Sequence, residues 1–244
     1  MNKNNAQTVK LVDTPDLGSS SERSGGSSPL PGTNLSQWSF DRKVAEIFPT
    51  HARQHIPNYD KVIQKTLDIC TDYPSDASII DVGCAVGETL IQLHHRGFTN
   101  LYGVDNSTSM LEKCPKTLGI EYILSDNFKI DKTFDVIIIN WTLHFIENKT
   151  DYLYEVKSRL NQNGTLIISD KTCNDDYAIE FYHNIKRQNG VSEAEIVAKQ
   201  NNVKNIMFIK SPNWYLNQFE QLGLHNHYIF DADWCFTSFV CKCE

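Results

Sequence analysis

Residues 78–89, Ser-Ile-Ile-Asp-Val-Gly-Cys-Ala-Val-Gly-Glu-Thr, join a short apolar run to a loop with glycines at 83 and 87 and an acid at 88. An apolar run of that length bounded by turn formers predicts a strand buried on both faces, and glycine followed by an acid predicts a helix N-terminus directly after the loop. The loop reads D-x-G-x-x-x-G, not the G-x-G-x-x-G by which a backbone approaches a dinucleotide pyrophosphate. Strand, glycine loop and helix in that order open a βαβ unit, so a parallel sheet should continue downstream.

Apolar runs at 101–104, 121–124, 134–140 and 165–169 predict four more strands. Amphipathic stretches at 89–95, 108–113 and 152–160 predict crossover helices, and Asn163-Gly164 predicts the turn into the fifth strand. Upstream, WSFDRKVAEIF (38–48) and DKVIQKTLDIC (60–70) carry apolar residues at helical spacing and predict two lead-in helices. Downstream, Ser192 and Glu195 have capping-box spacing after the Asn189-Gly190 break, and 225–230 and 236–242 read as a closing hairpin. The predicted fold is α/β: a Rossmann-like, doubly wound, mostly parallel seven-stranded sheet with a C-terminal antiparallel hairpin, occupying 37–244. Residues 1–36 are dense in Ser, Gly and Pro, bury too little apolar surface to offset ordering entropy, and predict a disordered tail.

The 244 residues, 40% of them hydrophobic, supply one substantial core. A net charge of -7 gives no global basic field that would draw the chain to nucleic acid or an anionic membrane. Seven cysteines, an odd number without paired CxxC spacing, predict reduced thiols in a cytoplasmic protein and no structural zinc. No apolar run has the length needed to cross a bilayer.

Polar residues stand at the carboxyl ends of the predicted strands in an order that outlines a ligand. Asp105, about twenty residues past the glycine loop, is where such sheets place an acceptor for ribose hydroxyls. Asn106 follows it, and Met110 lies in the next helix, in reach of an adenine face. Asp126 can accept from an adenine amino group while the backbone amide of Asn127 serves a ring nitrogen. Asn140 opens the pocket at the end of the fourth strand, and the backbone of Gly83, Cys84 and Ala85 would meet an amino acid where a dinucleotide carries phosphates. A nucleoside joined to an amino acid is S-adenosyl-L-methionine, with S-adenosyl-L-homocysteine as its demethylated product.

The segments WSFDRKVAEIFP, IPNYDKVI, DVGCAVGETL, GVDNSTSMLEKC, NWTLHFIE, LNQNGTLIIS and KRQNGVSEAEIVAKQNNVKNIM together resemble the carboxy-S-adenosylmethionine synthases over nearly everything from Trp38 onward. The resemblance implies conversion of S-adenosylmethionine, with prephenate, into a carboxylated derivative that goes on to modify the wobble uridine of certain tRNAs. It also implies cofactor contacts at Tyr59, Gly83, Cys84, Ala85, Asp105, Asn106, Asp126, Asn127 and Asn140. One departure bears on function: where the family has an arginine after the lysine of its S-E-x-E-I-x-x-K-R segment to grip the extra carboxylate, Lys199 is followed here by Gln200. A neutral amide is no substitute for a bidentate cation. The expectation is therefore a methyltransferase that passes the methyl group of ordinary S-adenosylmethionine to a small-molecule acceptor, with His144 as general base, no direct nucleic-acid contact, and a homodimer as the assembly to test. Retained carboxy-S-adenosylmethionine synthesis and non-catalytic cofactor binding are the alternatives.

Overall fold

The computed structural model describes residues 40–128, 130–203 and 205–243. The tail expected over 1–36 lies outside them. Two helices lead in: α1 (Arg42–His55), whose N-terminus is capped by Asp41 accepting from Val44 N–H at 3.0 Å, and α2 (Tyr59–Cys70). The sheet then begins with β1 (Ser78–Val82), α3 (Glu88–His95), β2 (Asn100–Asp105), α4 (Thr108–Leu111), β3 (Glu121–Leu124), β4 (Phe134–Asn140), α5 (Lys149–Ser158) and β5 (Leu160–Lys171). Three further helices, α6 (Asp176–Gln188), α7 (Glu193–Val203) and α8 (Pro212–Gln221), precede β6 (Asn226–Asp233) and β7 (Phe236–Lys242). The strand order is β3-β2-β1-β4-β5-β7-β6, parallel from β3 through β5 and antiparallel for the last two strands.

Alternation along the central strands divides the core in two. Ile137, Ile139, Leu166 and Ile168 face Tyr215 and Phe219 of α8, whereas Val136, Ile138 and Ile167 face Leu67 of α2 and Leu90 and Leu93 of α3. All of these are 1% exposed or less, and each such side chain stabilises the fold by roughly 1.5–3 kcal/mol relative to leaving it in water.

The strands over 78–82, 121–124 and 134–140 lie where the sequence places them. The fifth differs: it starts at Leu160, and Asn163-Gly164 falls inside it. The pairing jumps from Phe134↔Leu160 to Val136↔Thr165, so the turn is a bulge within one strand, with Asn163 in left-handed backbone at φ 62. The helix expected over 108–113 ends at Leu111, because Lys113 N–H and Cys114 N–H reach back only to Met110 and Leu111. The capping box forms as read: Ser192 Oγ donates to Glu195 at 2.7 Å and accepts from Glu195 N–H at 3.3 Å. Among the described residues no helix is long and apolar enough to cross a membrane.

Candidate cofactor and acceptor site

The carboxyl ends of β1, β2 and β4 meet at the loop after β1. Gly83 and Gly87 take φ +76 and +79, and Ala85 is left-handed at φ 48. A Cβ on Gly83 would stand 2.1 Å from Thr142 Oγ1, so only glycine lets the loop pass the segment after β4. The loop turns its amides inward: Gly83 and Cys84 N–H donate to Val104 carbonyl at 2.7 and 3.1 Å, and Ala85 N–H donates to Asp105 Oδ2 at 2.9 Å. The other Asp105 oxygen accepts from Ser107 N–H at 2.8 Å, so this one carboxylate pins the glycine loop to the cap of α4.

Asp81, the acid that opens the loop motif, is 4% exposed. Burial first, and then the neighbouring Asp105 carboxylate, pushes it up to about 7. Burial likewise raises Asp105, against the amides that hold it down. Neither acid has an ion-pair partner among the described residues. Close by, Asn140 is 7% exposed and offers Nδ2 to Thr66 Oγ1 at 3.5 Å, while its Oδ1 is buried with no partner among the described residues. Ser169, its register partner on β5, has an equally unpartnered hydroxyl. A buried and a half-buried acid with no ion pair among the described residues, beside an orphaned amide oxygen, fit a ligand that brings positive charge and hydrogen-bond donors.

Tyr59, 6% exposed, stacks on Trp141 with ring centroids 4.7 Å apart, and Trp141 is held at φ 56. Tyr59 also donates to Glu88 at 3.3 Å, and Arg53 clamps Glu88 and Asp60, tying α1 and α2 to the first turn of α3. Burial, followed by Glu88, raises the Tyr59 phenol, which stays protonated as a donor.

The remaining candidates divide. Met110 is 1% exposed behind the Ser107 cap. Asn106, Asp126 and Asn127 are exposed, and Asn127 Nδ2 donates to Asp126 at 3.0 Å. His144 is 5% exposed, and its backbone N–H and Nδ1 both meet Asp170 Oδ1, while Tyr215 donates to Asp170 Oδ2. Asp170 follows Ser169 on β5 and therefore faces α8, across the sheet from Asn140. Sequence reasoning passed over Asp81, Trp141, Ser169 and Asp170. Asp81 was legible as the first letter of the loop motif, whereas the other three acquire meaning only through register and backbone conformation.

Comparison with known proteins agrees with this geometry. A family profile described as a methyltransferase domain matches residues 74–207. A carboxy-S-adenosyl-L-methionine synthase of Campylobacter hominis is 35% identical over 187 residues, covering 70% of this chain and 80% of that protein. One of Enterobacter sp. strain 638 is 27% identical over 230 residues, covering 86% and 93%. The fold is shared by the magnesium protoporphyrin IX methyltransferase of Synechocystis PCC 6803, solved with S-adenosylhomocysteine, at TM-score 0.57 and 12% identity over 78% of this chain and 86% of that one. A methyltransferase of Thermotoga maritima has TM-score 0.59 and 14% identity over 83% and 97%. The acid-lined glycine loop, the seven-stranded order and these relatives lead to one conclusion: the chain belongs to the class I S-adenosylmethionine-dependent methyltransferases, transferases by family, in the group that includes the carboxy-S-adenosyl-L-methionine synthases.

Proposed function

We propose that the chain passes the methyl group of S-adenosylmethionine to a small-molecule acceptor. The observation that carries this is the pair of buried Asp81 and half-buried Asp105, which lacks an ion-pair partner among the described residues and so favours a ligand with an ammonium and a sulfonium. When bound, the sulfonium supplies a methyl group that is already activated. Asp81 would hold the ammonium and Asp105 the ribose hydroxyls, with Met110, Asp126 and Asn127 on the adenine side. Because the amides of Gly83, Cys84 and Ala85 are committed within the fold, these residues would offer their carbonyl side to the amino acid. The stacked Tyr59 and Trp141 wall the reacting end and exclude water. His144 would accept a proton through Nε2 alone, since Nδ1 is committed to Asp170.

Net charge -7 supports an acceptor that is not nucleic acid, and seven free thiols support a cytoplasmic location; a homodimer is part of the same proposal. A second reading, synthesis of carboxy-S-adenosylmethionine, is favoured by α7: Lys199 turns inward onto His51 while Gln200 is exposed, so a cation does face the interior from this helix. Incubation with S-adenosylmethionine and prephenate, followed by mass spectrometry, separates the two. The methyl-transfer reading expects S-adenosylhomocysteine to form only with a methyl acceptor and no carboxylated product; a prephenate-dependent product 44 mass units heavier (about the mass of a bound CO2) would replace it with the second.

A further inference from the structure

Beyond the acid pair, a second cluster of charge gathers against α1. Lys171 at the end of β5, Lys186 on α6 and Lys199 on α7 converge on the C-terminal half of α1, where the His51 and His55 rings lie tilted at 39° with centroids 4.1 Å apart. Lys199 Nζ contacts His51 Nε2. Lys186 and Lys171 lie 4.0 and 5.2 Å from the centre of the same Tyr182 ring, and Tyr182 donates to His55 carbonyl at 2.9 Å. Lys186 is 4% exposed and His55 7%. Neither Lys171 nor Lys186 has an ion pair among the described residues. The nearest acid in sequence on α7, Glu195, spends its carboxylate on the Ser192 cap.

Such a cluster costs the ligand-free fold energy. Burial and then Lys186 lower Lys199 to about 7, and burial and then Lys171 lower Lys186 to about 8. Burial followed by Lys199 lowers His51 to about 4 and His55 to about 2. Independently, His55 Nδ1 is buried with no hydrogen-bond partner among the described residues, the sign of a polar group awaiting something outside the chain.

We propose that Lys171, Lys186, Lys199 and His55 form a binding site for a doubly charged oxyanion, the phosphate or paired carboxylates of the acceptor molecule. Three convergent ammonium groups match more than one negative charge, and an N–H of the imidazole supplies a directed donor. His55 lies four residues before Tyr59, whose ring stacks on Trp141, so the site adjoins the wall of the cofactor pocket. An anionic acceptor is also the charge complement of a sulfonium donor. This step rests on the group-transfer reading for the word acceptor, but oxyanion binding itself does not require turnover.

The test uses the full chain without acceptor. Melting temperature is followed with inorganic phosphate, with malonate, and with sodium chloride at matched ionic strength, in wild type, Lys186→Met, Lys199→Met and the control Arg187→Gln, an exposed residue paired with Glu180 and Glu193. Phosphate, malonate or both should raise the melting temperature beyond chloride, with at least a tenfold weaker apparent affinity in both lysine variants and none lost in the control. Which of the two works assigns the group. The ligand-free Lys186→Met protein should melt higher than wild type, because a charge repelled by its neighbours is gone; a purely structural lysine predicts the reverse. Equal effects of chloride, unchanged affinity in the lysine variants, or a lower ligand-free melting temperature would overturn the site. S-adenosylmethionine binding, measured separately by calorimetry, should be intact in both lysine variants; its absence in wild type would count against the donor assignment and leave the oxyanion result standing.

Discussion

The ends of β1 and β2 carry one buried and one half-buried acid with no ion pair among the described residues, while the junction of β5, α1, α6 and α7 gathers one buried and two half-buried lysines, of which Lys171 and Lys186 have no ion pair among the described residues. Tyr59, whose ring stacks on Trp141, lies four residues past His55 in the chain. Each region stores like-charge repulsion that the other could have neutralised had the chain placed them together. Keeping them apart makes each region selective for the opposite sign, so charge separation within the protein mirrors the charges of the proposed donor and acceptor.

The largest effect that can break this comparison is at the acidic side. Asp105→Ala removes the proposed ribose acceptor and the pin between Ala85 and Ser107, and should weaken cofactor binding by about 3 kcal/mol, roughly a hundredfold in Kd by calorimetry. Undiminished affinity would detach Asp105 from the site. Next, Gly83→Ala places a methyl against Thr142 at positive φ and should cost about 2–3 kcal/mol of stability in denaturant titration. An unchanged midpoint would mean that Thr142 swings away freely.

A third outcome concerns pH. Asp81 is raised from 3.8 to about 7, so the folded protein holds a proton that the unfolded chain has lost. Its contribution to ligand-free stability is present in full below 3.8 and is lost as pH rises through about 7. Cofactor affinity should move the opposite way, improving by up to roughly tenfold per pH unit on approach to 7 with proton release on binding, since a cation stabilises the ionised acid. Calorimetry in buffers of differing ionisation enthalpy reads that proton directly; no release would mean that Asp81 does not meet the ligand's charge. The smallest expected effect is at Gln200→Arg. The position is exposed and Lys199 is the residue that faces in, so affinity for a carboxylated cofactor should change by less than about 1 kcal/mol. A tenfold gain would show that position 200 reaches the donor.

Local patterns made the acidic side legible. The D-x-G-x-x-x-G loop and the apolar runs before Asp105 and Asn140 are contiguous signals, and β1, β3 and β4 have the bounds that hydrophobic runs require. The bulge in β5 was hidden because Asn163-Gly164 is a turn signal whether the strand ends there or only kinks. The cationic side was hidden more deeply: Lys171, Lys186, Lys199 and His55 come from separate segments, and a lysine on an amphipathic helix reads as a solvated face until tertiary packing turns it inward. His144 was legible by its place after β4, whereas its partner Asp170, which holds the ring through Nδ1, comes from β5 and is brought to it only by packing.

The sheet order has a consequence for how the chain is made. β7, ending at Lys242, lies between β5 and β6, so among the described strands β5 has no neighbour on that side, and β6 none, until β7 arrives. During synthesis the growing chain therefore exposes an open strand edge, with Leu166 and Ile168 beside it, for as long as it takes to add α6, α7, α8 and β6. The β6–β7 hairpin acts as a clasp: the nascent chain is most vulnerable to edge pairing with its siblings in the interval before residues 236–242 emerge, and closure of the sheet waits for them.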